Sequence, residues 1–99
     1  MRVPKLTDDQ IQQQLGTLTG WQIENNALTK TYAFANFAQS LAFVNRVGAA
    51  AETADHHPDV DIRYSKVTLA LSTHDSGGIT EKDFALAAEA DRLVTGPTA

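Results

Sequence analysis

The chain contains no cysteine among its 99 residues. This absence excludes disulfide bonds, thiolate metal ligands and cysteine nucleophiles, and it is typical of proteins from a reducing cytoplasm. Basic residues are also few, since eight Lys and Arg against twelve Asp and Glu give a formal net charge of −4. Because nucleic-acid binding needs a basic face, the composition argues against a nucleic-acid partner.

Long hydrophobic runs are lacking as well. No stretch of the sequence approaches the roughly 18 apolar residues of a membrane span, and the first ten residues lack the apolar core of a signal peptide. We therefore expect no membrane partner and a cytoplasmic location. The length predicts one domain over residues 1–99, and the 42% hydrophobic and 20% charged fractions are ordinary for a globular protein.

The first third of the chain predicts a helix followed by a β-hairpin. Thr7 and Gln10 have the spacing of a capping box, and Gly20 is expected to close the helical segment. The apolar residues at helical spacing are Ile11, Leu15 and Leu18. Apolar and polar residues then alternate on both sides of Asn25-Asn26, which predicts a hairpin turn because Asn tolerates positive φ.

The longest predicted helix begins at Asn36 or Ala35 and ends before Pro58, because a residue that precedes proline is driven out of the α region. Its apolar stripe is expected to comprise Phe37, Leu41, Val44, Gly48 and Ala51. His56 is then expected near the last turn of this helix, with His57 just beyond its end.

Two further strands are predicted over 60–65 and 67–72, where apolar and polar residues alternate. By the same alternation His74 shares a face with Ser72, away from the leucines. Thr80 is expected to begin a last helix, and Gly96-Pro97 to end it. The predicted core positions of that helix are Phe84, Ala87, Ala88 and Leu93 or Val94.

The predicted order is α-β-β-α-β-β-α, which indicates an α+β fold. We expect a single four-stranded antiparallel sheet with three helices packed on one face. The opposite face is expected to be half polar, and either open to solvent or covered by a partner chain. Its predicted residues are Thr29, Thr31, Thr68, Ala70 and Ser72.

All three histidines lie at predicted ends of elements, where functional groups are commonly held. Histidine can take or give a proton at physiological pH. Glu52 precedes His56 by four residues, so both are expected on one helix face, where the carboxylate can accept an imidazole N–H. Asp75 follows His74 directly. These residues, with His57, predict an acid–base site.

The same spacings also fit structural interpretations. A His-His-Pro segment at a helix end can be a cap, and His74-Asp75 before two glycines can be a turn. Trp21 can belong to the core or form a stacking wall for a flat ligand. Three histidines and a water can hold zinc, although the neighbouring side chains of His56 and His57 usually diverge.

The chain resembles the pterin-4a-carbinolamine dehydratase family in three segments: Glu52-Thr-Ala-Asp-His56-His57-Pro58, Tyr64 with Val67, and Thr73-His74-Asp75. The resemblance extends over almost the whole chain and includes Gly20-Trp21. Family members often carry Asn after the tyrosine, whereas this chain has Ser65. That difference concerns a local turn contact and leaves the histidines in place.

The resemblance implies a hydro-lyase that converts 4a-hydroxytetrahydropterin to quinonoid dihydropterin and so supports tetrahydropterin recycling, with no metal or cofactor. It implies that His57 and His74 transfer protons and that His56 positions the substrate and shares this work. Glu52 and Asp75 are expected to orient imidazoles. Because one group must protonate the leaving hydroxyl while another accepts a proton, two histidines suit the reaction.

The resemblance further implies substrate contacts from Pro58, Thr73 and Trp21, beside those of His56. It implies a homo-oligomer, either a dimer or a tetramer, and a small pterin as the main partner. Some relatives also serve as dimerisation cofactors of a transcription factor. A non-enzymatic binding or coactivator module on the same fold is therefore the alternative function.

Overall fold

The computed structural model describes residues 4–94 and contains three α-helices and one antiparallel sheet. The helices are α1 (Asp8–Leu15), α2 (Phe37–Ala54) and α3 (Glu81–Val94). The strands are β1 (Gln22–Glu24), β2 (Ala27–Ala33), β3 (Asp59–Arg63) and β4 (Lys66–Leu71), in the spatial order β1-β2-β4-β3. The predicted fold class and element order are confirmed. The predicted helix end at Gly96-Pro97 lies outside the described residues.

The polar residues at the helix starts act as caps. Thr7 Oγ1 accepts from the backbone N–H of Gln10 at 3.2 Å, and Gln10 Oε1 accepts from the backbone N–H of Thr7 at 2.9 Å. Asn36 Oδ1 caps α2 by accepting from the backbone N–H of Gln39 at 2.8 Å. However, α1 ends at Leu15 and does not reach Gly20, because the chain leaves the helix at Gly16. Helical spacing alone extended the prediction too far.

The buried stripe of α2 differs from the predicted one. It consists of Ser40, Phe43, Val47 and Ala51. Phe37 and Leu41 are instead 46% and 40% exposed. This helix carries apolar or small residues around most of its circumference, so three- and four-residue steps fit two neighbouring stripes. Contact with the sheet selects between them, and only Ala51 is both predicted and fully buried.

One face of the sheet builds the core and the other stays accessible. Leu28, Leu69 and Leu71 are at most 1% exposed and share one core with residues from all three helices. In α3 the buried apolar residues are Phe84, Leu86, Ala87 and Ala90, whereas the predicted Ala88 is exposed. None of the five residues predicted for the opposite face is buried. That face also carries a hydrogen bond between Thr31 Oγ1 and Thr68 Oγ1 at 2.8 Å.

The hairpin between β1 and β2 turns where it was predicted. Asn25 and Asn26 have φ values of 51° and 61°, in the left-handed region that Asn tolerates. The expected half-buried β1 is only partly confirmed, because Trp21 precedes the strand and is buried whereas Ile23 is exposed. Within residues 4–94, no helix combines the length and the apolarity that a membrane crossing requires.

Candidate active site

Helix α2 ends in a Schellman motif that places both neighbouring histidines outside the helix. The Asp55 N–H donates to Glu52 O at 3.2 Å, and the His56 N–H donates to Ala51 O at 3.1 Å. Asp55 adopts the left-handed conformation, with φ 51° and ψ 44°. His56 thus lies beside the last turn, as predicted, although it is two residues beyond the end of the helix. Because Asp55 breaks the helical path, a four-residue spacing no longer places Glu52 beside His56.

Glu52 pairs with His57, contrary to the predicted pairing with His56. Its Oε2 lies 2.5 Å from His57 Nε2. Both side chains are largely solvent-accessible, with exposed fractions of 55% for His57 and 77% for Glu52. The carboxylate does contact an imidazole, but it is that of the second histidine of the pair, and the contact lies at the surface.

His56 pairs with Asp83, a residue that the sequence analysis did not select. His56 Nε2 lies 2.5 Å from Asp83 Oδ1, and the exposed side-chain fractions are 10% and 0%. Asp83 Oδ2 also accepts from Thr80 N at 2.8 Å and from Thr73 Oγ1 at 3.0 Å. In the sequence Thr80 was predicted only as the start of the last helix. Local spacing did not reveal that the Asp83 carboxylate receives a histidine from beyond the end of α2.

The two adjacent imidazoles have opposite surroundings. His57 is exposed and contacts Glu52 on α2. His56 is almost buried and contacts Asp83 on α3. Both histidines lie in the segment between α2 and β3, and the first pair of β3 with β4 joins Asp59 to Ala70.

His74 lies in a short turn that follows β4. The strand ends at Leu71, and His74–Ser76 form one turn of 3-10 helix that ends at Gly77, whose φ is 78°. His74 and Asp75 are both exposed. Within residues 4–94, no hydrogen bond joins Asp75 to the His74 imidazole. Thr73, directly before His74, binds Asp83, so the turn begins beside the His56–Asp83 pair.

A surface cavity adjoins His74 at this end of the sheet. It is lined by Asn25, Asn26, Ser72, His74, Gly77 and Gly78. Ser72 and His74 both line it. A separate cleft between α2 and α3 reaches His56. The carboxyl end of β4, the β1–β2 turn and the segment before β3 thus gather polar groups around one sheet end.

Trp21 lies in a different cluster from the histidines. Its side chain is 4% exposed, and Nε1 donates to Asp91 Oδ2 at 3.1 Å. Asp91 Oδ1 accepts from Lys30 Nζ at 2.8 Å and from Tyr32 OH at 2.7 Å. Lys30 Nζ also lies 4.8 Å from the centre of the Tyr32 ring. This arrangement corresponds to the core interpretation of Trp21.

Two pKa values are shifted within the Asp91 cluster, which consists of Asp91, Lys30, Tyr32 and Trp21. Partial burial opposes ionisation of Asp91, but hydrogen bonds from Lys30, Tyr32 and Trp21 outweigh it and lower the pKa of this carboxyl. Burial, followed by the hydrogen bond and charge of Asp91, raises the pKa of Tyr32. Both shifts favour a charged Asp91 that accepts from a neutral Tyr32.

The described residues offer no metal centre. Within residues 4–94, no three His, Asp or Glu side chains lie close enough together to hold a metal ion. The carboxylates nearest to His56 and His57 instead contact one imidazole each. This geometry suits proton transfer and orientation of imidazoles.

The sequence profile described as Pterin 4 alpha carbinolamine dehydratase matches residues 4–93. A protein of Chloroflexus aurantiacus, whose name assigns it provisionally as a pterin-4-alpha-carbinolamine dehydratase, is 51% identical over 93% of this chain and 99% of its own length. A similarly named protein of Roseiflexus castenholzii is 52% identical over 90% of this chain and 96% of its own.

Two solved structures have the same architecture. A transcriptional coactivator/pterin dehydratase from Brucella melitensis superposes with a TM-score of 0.88 at 30% identity, over 91% of this chain and 98% of that one. A pterin dehydratase-like protein, identified as a RuBisCO assembly factor in the alpha-carboxysome, superposes with a TM-score of 0.62 at 29% identity. The second match covers 79% of this chain and 89% of that one.

Proposed function

Because the chain belongs to the pterin 4 alpha carbinolamine dehydratase family, we propose that it dehydrates 4a-hydroxytetrahydropterins by histidine acid–base catalysis. The observation that carries this proposal is the pair of imidazole–carboxylate contacts directly after α2. Two neighbouring imidazoles, each oriented by its own carboxylate, are suited to hold a substrate and to move protons at the same place.

The proposed reaction removes one water from the substrate. The bond between carbon 4a and its hydroxyl oxygen breaks, and the neighbouring ring nitrogen loses its proton. The products are a quinonoid dihydropterin and water, so no electron is gained or lost overall. Hydroxide is a poor leaving group, so a general acid must protonate it while a general base accepts the proton from nitrogen.

His57 and His74 are the proposed proton-transfer residues. Both side chains are exposed at the same sheet end, and His57 is held by Glu52. An ionised carboxylate only accepts hydrogen bonds, so Nε2 of His57 is the donor to Glu52. Its Nδ1 is therefore the atom that remains to exchange a proton with the substrate.

His56 is the proposed substrate-positioning residue that shares the acid–base work. Its imidazole is almost buried and is bound to Asp83, which also fixes Thr73 at the start of the His74 turn. Asp83 thus links the segments that carry two of the histidines, and we assign it a positioning role. A rigid support of this kind keeps reacting groups within the small tolerance that catalysis allows.

Several expected contacts stay predictions. Pro58 and Thr73 are expected to line the substrate site, and Asp75 to orient an imidazole. Trp21 is expected to contact the substrate only if a pterin reaches it from the surface, since its indole is bound to Asp91. The expected dimer or tetramer is open to measurement by light scattering, and the cytoplasmic location by cell fractionation.

The direct test is an activity assay with freshly generated 4a-hydroxytetrahydropterin. We expect the purified protein to accelerate the appearance of the quinonoid product well above the spontaneous rate. The double variant His57→Ala/His74→Ala should lose about 100- to 10,000-fold of this acceleration, the range that general acid–base groups supply. Circular dichroism of the variant provides the control for folding, since both side chains are exposed.

Absence of acceleration by the wild-type protein would refute the dehydratase. Full activity of the folded double variant would refute the assignment of His57 and His74 alone. Stoichiometric zinc or iron in protein purified without chelator would instead favour a metal hydrolase, a third possibility that three histidines admit.

A non-enzymatic binding module is the second candidate function. It is favoured by the similarity to a pterin dehydratase-like protein that acts as an assembly factor, and by the accessible polar face of the sheet. A partner that still co-purifies after His56, His57 and His74 are all replaced by Ala would support it. Loss of the partner in that triple variant would indicate that the histidine site itself is what binds.

A further inference from the structure

The turn between β1 and β2 lies directly against the turn that carries His74. The Asn26 side chain donates from Nδ2 to the carbonyl oxygen of Gly77 at 3.1 Å. The two residues are 51 positions apart in sequence, so this is a tertiary contact between two loops. It joins the hairpin turn to the last residue of the His74 turn.

The two turns are closely packed as well as hydrogen-bonded. A Cβ atom built on Gly78 would lie 3.2 Å from Asn26 Nδ2 and 3.3 Å from Asn26 Oδ1. It would also lie 2.8 Å from Lys5 Cε, a distance that would force that flexible side chain to move. The Gly78 backbone therefore accommodates the Asn26 amide at close range, and any larger residue there would press against it.

The carbonyl that Asn26 contacts belongs to Gly77, the residue that ends the turn carrying His74. The N–H of Gly77 donates to the carbonyl of His74 at 3.0 Å, and this bond closes the turn. Within residues 4–94, the His74 imidazole itself makes no hydrogen bond. Its place therefore depends on the backbone of its turn, which Asn26 holds from one side and Thr73, through Asp83, from the other.

We propose that Asn26 is a positioning residue for His74 in the dehydration reaction. This inference rests on the proposed function. Asn26 holds the turn so that the His74 imidazole faces the cavity that both residues line. Loss of the amide would let the turn shift, and a displacement of 1 Å at a reacting group can cost up to about 100-fold in rate.

Asparagine meets two requirements at this position. Its φ of 61° lies in the left-handed region, which Asn, Asp and Gly tolerate better than other residues. Among these three, only Asn carries a side-chain N–H that can donate to the Gly77 carbonyl. Asn26→Gly and Asn26→Asp therefore remove the donor without imposing backbone strain, and they provide two independent variants.

The experiment measures kcat and KM for both variants, each in the wild-type and in the His74→Ala background. We expect about a tenfold decrease in kcat with KM almost unchanged in the wild-type background. In the His74→Ala background the same substitutions should change the residual rate less than twofold, because the group they position is gone. Tyr64→Gly is the matched control, since Tyr64 is also left-handed in a hairpin turn, at the opposite end of the sheet.

Amide hydrogen exchange gives a readout that does not depend on activity. In the Asn26 variants, the Gly77 and Gly78 amides, which close the His74 turn, should exchange faster than in the wild-type protein and in Tyr64→Gly. An active wild-type protein whose Asn26 variants keep full kcat would overturn this inference and leave the proposed function intact. Equal losses with and without His74 would also overturn it. An inactive wild-type protein would overturn both.

Discussion

The two imidazole–carboxylate pairs after α2 have the same separation and opposite surroundings. In each, the histidine Nε2 lies 2.5 Å from a carboxylate oxygen. His57 and Glu52 are mostly exposed, whereas His56 is 10% and Asp83 0% exposed. Exposed ion pairs contribute little to stability because water and salt screen them, while breaking a buried pair leaves a polar group without a partner. The distance alone therefore does not indicate what a pair does.

The two pairs also differ in the number of chain segments that they connect. Asp83 receives hydrogen bonds from His56 after α2, from Thr73 after β4 and from Thr80 before α3. Glu52 contacts a residue only five positions away, in its own segment. The buried pair thus joins three segments of the chain, and the exposed pair leaves an imidazole accessible. The following predictions test this division, beginning with the largest expected effect.

Replacing Asp83 should have the largest effect on stability. Asp83→Ala leaves His56, Thr73 and the Thr80 N–H without their buried acceptor, so we expect a loss of about 3 kcal/mol in the free energy of unfolding. Urea denaturation measures this loss. Glu52→Ala is the matched control, because it removes the carboxylate of the exposed pair and should cost less than about 0.5 kcal/mol. Equal losses in the two variants would contradict the comparison.

Replacing Asp91 tests whether another carboxylate of α3 is structural without being part of the site. Asp91→Asn weakens the acceptor for Lys30, Tyr32 and Trp21, and we expect a loss of about 2 kcal/mol at pH 7. The shape of the pH–rate profile should stay the same, because no histidine contacts Asp91 within residues 4–94. A changed profile would place the Asp91 cluster in the site after all.

The pH dependence of the free energy of unfolding tests whether the ionised Asp91 carboxylate stabilises the fold. The pKa of Asp91 is lower in the folded protein than its ordinary value of 3.8. The ionised carboxylate therefore stabilises the fold above that value, and the contribution is lost as the pH falls through the folded pKa. The wild-type protein should lose stability more steeply on acidification below about pH 4 than Asp91→Asn does.

The rate should follow a bell-shaped pH profile around neutrality if histidines supply both the acid and the base. Each limb should change the rate by about tenfold per pH unit far from the maximum. Steady-state rates between pH 5 and 9, corrected for the spontaneous reaction, measure this. A flat profile over that range would count against catalysis by two histidines.

The smallest effect is expected for Glu52→Gln. The amide keeps the size of the side chain and can still accept from His57 Nε2, but it removes the charge. Because this pair is exposed, we expect about a threefold decrease in kcat or less. The difference from wild type should shrink further at high salt, where the charge is screened. A decrease of 100-fold would contradict this expectation and show that catalysis depends on the charge of the exposed carboxylate.

The sequence by itself determined the order of the elements and the places of the histidines along them. Capping residues, alternation and the Asn25-Asn26 turn depend on local backbone preferences, which are readable along the chain. They predicted the α-β-β-α-β-β-α order and placed all the histidines at the ends of elements. Family resemblance added the chemistry that such histidines can perform.

Only the tertiary structure decided which groups pair. Glu52 binds His57 because Asp55 turns the chain out of the helix, and a helical spacing rule could not foresee that turn. His56 binds Asp83, 27 positions away, because α3 begins beside the end of α2. Hydrogen bonds between distant segments depend on how whole elements pack, and local propensities contain no information about that packing.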